Sequence, residues 1–136
     1  MITWNNLDKL TSYQELEKTE SVDLAAVMAG ENGAERVKNY SVPMAEGLAY
    51  NYAAKKVDDT VLSALEKLAE EAQLTEKFEA LYNGEVVNTG EKRLVLHHMT
   101  RGQLGDAVEA DGVDKRTFYV EQQKKIAEFA NKSTCR

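Results

Sequence analysis

At 136 residues, 43% hydrophobic and 29% charged, the chain is long enough to bury a core as one soluble globular domain. Its net charge of −6, from 17 basic against 23 acidic residues, argues against a broad surface for nucleic acid or for an anionic membrane. No apolar run is long enough to cross a bilayer, MITWNNLDKL lacks the basic start and apolar core of a secretory signal, and the lone Cys135 cannot form an internal disulfide, so a cytoplasmic location is expected.

Residues 4–17 carry Trp4, Leu7, Leu10, Tyr13 (or Gln14) and Leu16 at near-helical spacing, which predicts a first amphipathic helix. Ser21, Val22 and Asp23 form a start signal for a short helix over LAAVMA that Gly30 can end. A polar loop and one more turn at 34–37 follow. In NYSVPMAEGLAYNYAAKK the period switches to two: Tyr40, Val42 and Met44 alternate with Ser41 and Pro43, and Leu48, Tyr50 and Tyr52 with Ala49 and Asn51. This predicts an antiparallel β-hairpin around Glu46 and Gly47, with Pro43 on an edge because it has no N–H for a ladder bond.

Val57, Asp58 and Asp59 then cap the clearest helix, in which Val61, Leu62, Leu65, Leu68, Ala69 and Ala72 make one stripe. A further helix, TEKFEALY, starts at Leu74 or Thr75. Asn83-Gly84 predicts a hairpin-like turn, since both residues tolerate positive φ. Asn88 and Glu91 read as a capping pair for a helix beginning near Thr89, with Leu94, Val95, Leu96 and Met99 on its apolar side and Gly90 as its weak point. Asp111-Gly112 marks a candidate second short hairpin. A last helix runs from Asp114 or Lys115 to Asn131, with Phe118, Tyr119, Gln122, Ile126, Phe129 and Ala130 along it and Lys132 suiting the dipole at its end. The fold class is therefore mainly α (α+β): a helical domain over 1–136 with one antiparallel hairpin and room for a second.

Groups that carry chemistry are few. A tyrosine-rich hairpin can stack a base or a sugar, but alternating aromatics more often pack against a helix. Glu70 and Glu71 can serve as acid and base only if their environments differ; neighbours on a helix point about 100° apart, which favours a solvated acidic face. Adjacent His97 and His98 cannot both face one metal, and neither has a ligand at zincin spacing. His97, on one helix side with Arg93 and Arg101, reads as a packing residue. GQLG lacks the spacing of a phosphate loop, and the acidic loop after it lacks the EF-hand order. No catalytic, substrate-binding or metal residue is assigned in this chain, and no cofactor.

The segment NGEVVNTGEKRLVLHHMTR resembles the N-terminal signature of the phosphoglucose isomerase family, which reads roughly NGEKIN-x-TE-x-RAVLH-x-ALR. Asn83, Gly84, Glu85, Asn88, Glu91, Arg93, Val95, Leu96, His97 and Arg101 stand where that pattern wants them. Gly90, Leu94, Met99 and Thr100 depart from it. The similarity is recognisable over about 35–101 and looser over the whole chain.

This resemblance implies a parent enzyme that interconverts glucose 6-phosphate and fructose 6-phosphate without a cofactor, in glycolysis and gluconeogenesis. A glutamate base moves a proton between C1 and C2 through an enediol. The family's GIGGS motif, its SKT-type phosphate loop and the Q-x-x-x-E of its base are not found in these residues. Lys132, Ser133 and Thr134 share letters with the phosphate loop but not its place between a strand and a helix. The resemblance therefore implies an N-terminal, catalytically silent part of a longer homo-oligomeric isomerase, whose partners are the downstream sugar-isomerase domains. Isolated, such a piece is expected to self-associate through the faces left open. Two rivals remain: a stand-alone helical protein-interaction module, and a small metal-dependent enzyme built on His97 or His98.

Overall fold

Six α-helices and two antiparallel two-stranded sheets make up the described residues, in agreement with the expected mainly α class. The computed structural model describes residues 1–102 and 105–134. They divide into two compact units, Asn5–Ala72 and Gln73–Arg136, the latter together with Met1–Trp4.

In the 5–72 unit, a 3-10 turn at Leu7–Lys9 precedes α1 (Thr11–Leu16), α2 (Leu24–Ala29), α3 (Gly33–Asn39), β1 (Ser41–Ala45), β2 (Leu48–Asn51) and α4 (Asp59–Glu71). The single helix expected over 4–17 is thus broken, at Leu10, whose backbone is extended at φ −85 and ψ 138. The cause is tertiary. Glu71, at the end of α4, accepts from the backbone N–H of Thr11 (3.1 Å) and of Ser12 (2.8 Å) and from the Ser12 hydroxyl. Those orphan donors belong to a helix start, so a helix begins there rather than continuing through. α1 packs on α4, with Leu10 and Ser12 buried.

Local caps worked as the sequence suggested. Asp23 accepts from Ala26 N–H at 3.1 Å to open α2, and Asp58 from Val61 N–H at 2.8 Å to open α4. The hairpin forms with Val42 opposite Tyr50 and Pro43 opposite Ala49, and its register shifts between Pro43 and Ala45. In a sheet of two strands both are edges, so Pro43 forfeits nothing. Every residue of β2 is exposed.

The 73–136 unit contains α5 (Leu74–Tyr82), a 3-10 turn at His97–Thr100, β3 (Glu109–Ala110), β4 (Val113–Asp114) and α6 (Lys115–Thr134). The Gln73 side chain accepts from the backbone N–H (2.8 Å) and hydroxyl (3.0 Å) of Thr3, which ties down the N-terminal residues of this unit. Asn83-Gly84 is not a hairpin turn but the C-terminal cap of α5. Glu85 N–H reaches back to the Ala80 carbonyl (2.9 Å) and Gly84 N–H to that of Leu81 (3.2 Å), with Gly84 at φ +74. This is the Schellman arrangement.

The helix expected from Thr89 is absent. Asn88 does accept from Glu91 N–H, at 3.1 Å, as its capping role required. The chain then turns back on itself, because Lys92 adopts the left-handed region at φ 52 and an Asn88–Arg93 bridge closes a loop. A left-handed residue stops a right-handed helix from propagating. Only His97–Thr100 coils, as a 3-10 turn, and it buries Met99 completely.

The second hairpin is present. Asp111 (φ 55) and Gly112 (φ 71) both lie at positive φ, the requirement of a type I′ turn. α6 extends past Asn131 to Thr134, so the letters Lys132, Ser133 and Thr134 close a helix. The face expected of this helix is covered only in its first half. Arg116 is buried and Tyr119 half-buried, while Ile126 and Phe129 are 67% and 73% exposed. The GQLG residues Gln103 and Leu104, like Cys135, lie outside the described residues.

Candidate functional site

One set of polar groups converges at the end of α5. The Tyr82 carbonyl belongs to the last turn of that helix, where carbonyls lack intrahelical donors and the dipole is negative. Two side chains reach it: Arg116 Nη2 at 2.9 Å, from the first turn of α6, and His98 Nε2 at 3.2 Å. A carbonyl only accepts, so His98 carries its proton on Nε2. Arg116 Nε also donates to the Asp106 carbonyl. The Tyr82 ring stacks on His98, with centroids 4.6 Å apart, and the guanidinium carbon lies 5.8 Å from the same ring. Asp114 opens α6 by accepting from Arg116 N–H (3.1 Å), Thr117 N–H (3.3 Å) and the Thr117 hydroxyl (2.5 Å). Its carboxyl is held below the ordinary aspartate value, above all by that hydroxyl.

This arrangement corrects the reading of the histidine pair. His97 is exposed, whereas His98 is the packing residue, half-buried against Tyr82. Two buried nitrogens, His98 Nδ1 and Arg116 Nη1, have no partner among the described residues. The remaining side-chain donors, Arg116 Nε and Nη2 and His98 Nε2, go to backbone carbonyls, and the nearby Asp114 carboxylate is engaged in capping α6. The cluster holds a helix end and a loop together.

The 5–72 unit has its own buried cation. Arg36 donates from Nε to the Ala53 carbonyl (2.9 Å) and from Nη2 to those of Lys55 (3.0 Å) and Val57 (2.7 Å). Its guanidinium lies over the Tyr40 ring at 4.0 Å, and Tyr40 in turn lies 5.0 Å from Tyr52. The hairpin tyrosines are thus engaged with one another and with Arg36, although Tyr50 remains 45% exposed. Glu71 leaves the acidic face assigned to Glu70 and Glu71 and caps α1. Its carboxyl is lowered chiefly by the Ser12 hydroxyl, then by Ser12 N–H, the opposite of a base poised near neutrality. Neither arginine stood out in the sequence, because neither has a carboxylate at a helical spacing that would mark it.

One surface cleft of about 590 Å³ lies in the 73–136 unit, lined among others by Lys92, Arg93, Leu94, Lys115 and Phe118. Two of its cations have acidic neighbours: Lys115 pairs with Asp111 at 3.1 Å, and Arg93 Nη1 is 3.9 Å from Glu91.

The signature residues are now accounted for in space. Asn83 and Gly84 cap α5, Asn88 and Arg93 close the loop, Glu91 donates its backbone N–H to the Asn88 side chain, and Arg101 follows the 3-10 turn. The sequence model of the family described as phosphoglucose isomerase matches residues 51–135. The chain belongs to the phosphoglucose isomerase family. That match runs beyond Arg101 through β3, β4 and α6, further than the signature alone reached. Among curated relatives, the glucose-6-phosphate isomerase of Treponema denticola is 52% identical over 132 residues, covering 93% of this chain and 25% of the relative. That of Treponema pallidum strain Nichols is 39% identical over 133 residues, 95% of this chain and 25% of the relative. The Borreliella afzelii enzyme is 37% identical over 132 residues, 96% of this chain and 24% of the relative. The chain spans about a quarter of the length of the curated relatives it matches.

Proposed function

We propose that residues 1–136 serve as the N-terminal scaffold of a glucose-6-phosphate isomerase, which interconverts glucose 6-phosphate and fructose 6-phosphate by enediol proton transfer. The observation that carries this reading is the family match over 51–135, joined to relatives of that name that are about four times as long. The proton-transfer groups lie in the sugar-isomerase part, and these residues supply its support. The engagement of Arg36, His98 and Arg116 with backbone carbonyls supports that division of labour. The parent is a cytoplasmic homo-oligomer without a cofactor, acting in glycolysis and gluconeogenesis. No helix among the described residues is long and apolar enough to cross a membrane, which is compatible with that location.

Two measurements test the reading. Sequencing past the Arg136 codon is expected to find an open frame encoding GIGGS and a later Q-x-x-x-E. A coupled assay is expected to show isomerase activity in the full-length protein and none in the 136-residue chain. Activity in the short chain would overturn its silence; a stop codon directly after Arg136 would favour an interaction module instead.

A further inference from the structure

We infer that the groove between the β1–β2 hairpin and α4 is where the sugar-isomerase part of the same polypeptide docks. This rests on the membership in a longer isomerase proposed above. The groove measures about 350 Å³ and is walled by Val42, Tyr50 and Tyr52 from the hairpin, Val57 from the following loop, and Leu62 and Leu65 from α4; Lys55 is its one charged lining residue. Three of these side chains belong to faces meant for burial yet stay open: Val42 and Tyr50 are 45% exposed and Leu65 39%. A two-stranded hairpin is marginal in water unless a face is packed, and this one also leaves both edges free. Leu48 and Met44, beside its turn, are 66% and 70% exposed. The fold has made an apolar surface here without covering it.

The chemistry of the groove selects the occupant. Small-molecule sites join apolar walls to several converging polar groups, and a phosphosugar needs more than one. A single cation among aliphatic and tyrosine side chains suits a protein segment that carries apolar anchors and one carboxylate for Lys55. A second copy of this chain is the weaker fit. A two-fold contact sets the same patch against itself, which would bring two Lys55 ammonium groups toward one another with no acid in the lining. The relatives indicate what is at hand: in them, three further quarters of polypeptide accompany the part aligned with this chain.

The test uses the full-length isomerase with a photoreactive benzoyl-phenylalanine in place of Tyr50, followed by peptide mapping after irradiation. The expected product is an intramolecular cross-link from position 50 to a peptide beyond residue 136. The same replacement at Leu65, on the opposite wall, gives an independent reading if the first variant folds poorly. Cross-links joining two copies, or none from either position in an active enzyme, overturn the docking site while leaving the isomerase reading intact. Absence of isomerase activity in wild-type full-length protein, or a chain that ends at Arg136, overturns that reading and the docking site with it.

Discussion

Each unit of this chain is fastened by one arginine that is 6% exposed, and the two solve the same problem differently. Arg36 gives three hydrogen bonds to the carbonyls of residues 53, 55 and 57, so a whole loop between hairpin and α4 is threaded onto one guanidinium. Arg116 joins just two carbonyls, those of Tyr82 and Asp106, and leaves Nη1 without a partner. It shares the Tyr82 carbonyl with His98, whereas among the described residues Arg36 shares none of its acceptors with another side chain. A buried guanidinium without a counter-ion is tolerable when carbonyl dipoles surround it, and the more complete the ring the larger the loss on removal.

The largest expected effect follows from that difference. Arg36→Leu strips donors from three carbonyls, of which that of Ala53 belongs to a residue only 3% exposed, and should destabilise the 5–72 unit by about 3 kcal/mol or more. Arg116→Leu removes two bonds but also a group with an unpaired nitrogen, and His98 still serves Tyr82. The expected cost is about 2 kcal/mol, confined to the 73–136 unit. Urea titrations read by hydrogen exchange, which resolves the two units, would check both. Equal losses would mean that the number of carbonyls held does not set the ranking.

A third substitution probes the cap beside Arg116. Gly84 sits at φ +74, and a Cβ on it would intrude on the side chain of Val108, which is 4% exposed. Gly84→Ala therefore carries both backbone strain and a clash, together about 2 kcal/mol. Shortening the neighbour with Val108→Ala should recover the clash and leave the strain. A double-mutant cycle separates them; strict additivity would show that Val108 gives way freely.

What could be read in advance, and what could not, divides along the range of the interactions. Asp23, Asp58 and the Asp111-Gly112 turn act on residues within three positions, and all three were legible as caps and turns. The break at Leu10 was not, since it depends on a carboxylate sixty residues away in sequence terms from Thr11. The region after Asn88 failed for a subtler reason. Its cap was identified correctly, but a capped turn followed by Gly90 and a left-handed Lys92 satisfies the same Asn88 side chain as a helix would. Of the polar groups at the end of α5, His98 was visible but confused with its neighbour, because a helical reading put His97 inward. Arg116 was invisible: a carbonyl-bound arginine leaves no paired letter in the sequence. The signature itself was legible as family and opaque as physics until the cap of α5 and the loop it closes were in view.

The smallest effects sharpen the comparison at the two carboxylate caps. Glu71 holds the start of α1 across the 5–72 unit, and Asp114 holds the start of its own helix in the 73–136 unit; both are held below their ordinary pKa values, chiefly by a hydroxyl, that of Ser12 and that of Thr117 respectively. A carboxyl whose folded pKa is lowered binds protons more readily when unfolded. Its contribution is therefore complete above the unfolded value and is lost as pH falls from there through the lower folded value. Ser12→Ala and Thr117→Ala should each raise the corresponding folded pKa and reduce the loss of stability on acidification, with little change in slope near neutrality. The two caps should part company in the unfolded state. Asp114 can still meet residues two and three positions away in a fluctuating turn, whereas Glu71 meets Ser12 only when the unit is folded. The acid limb of the stability curve should consequently flatten more for Ser12→Ala than for Thr117→Ala. Carbon-detected NMR titration of the two carboxyls, beside urea midpoints measured through the acidic range, would decide it; an equal flattening would place both caps at the same unfolded reference and remove the distinction between local and long-range capping.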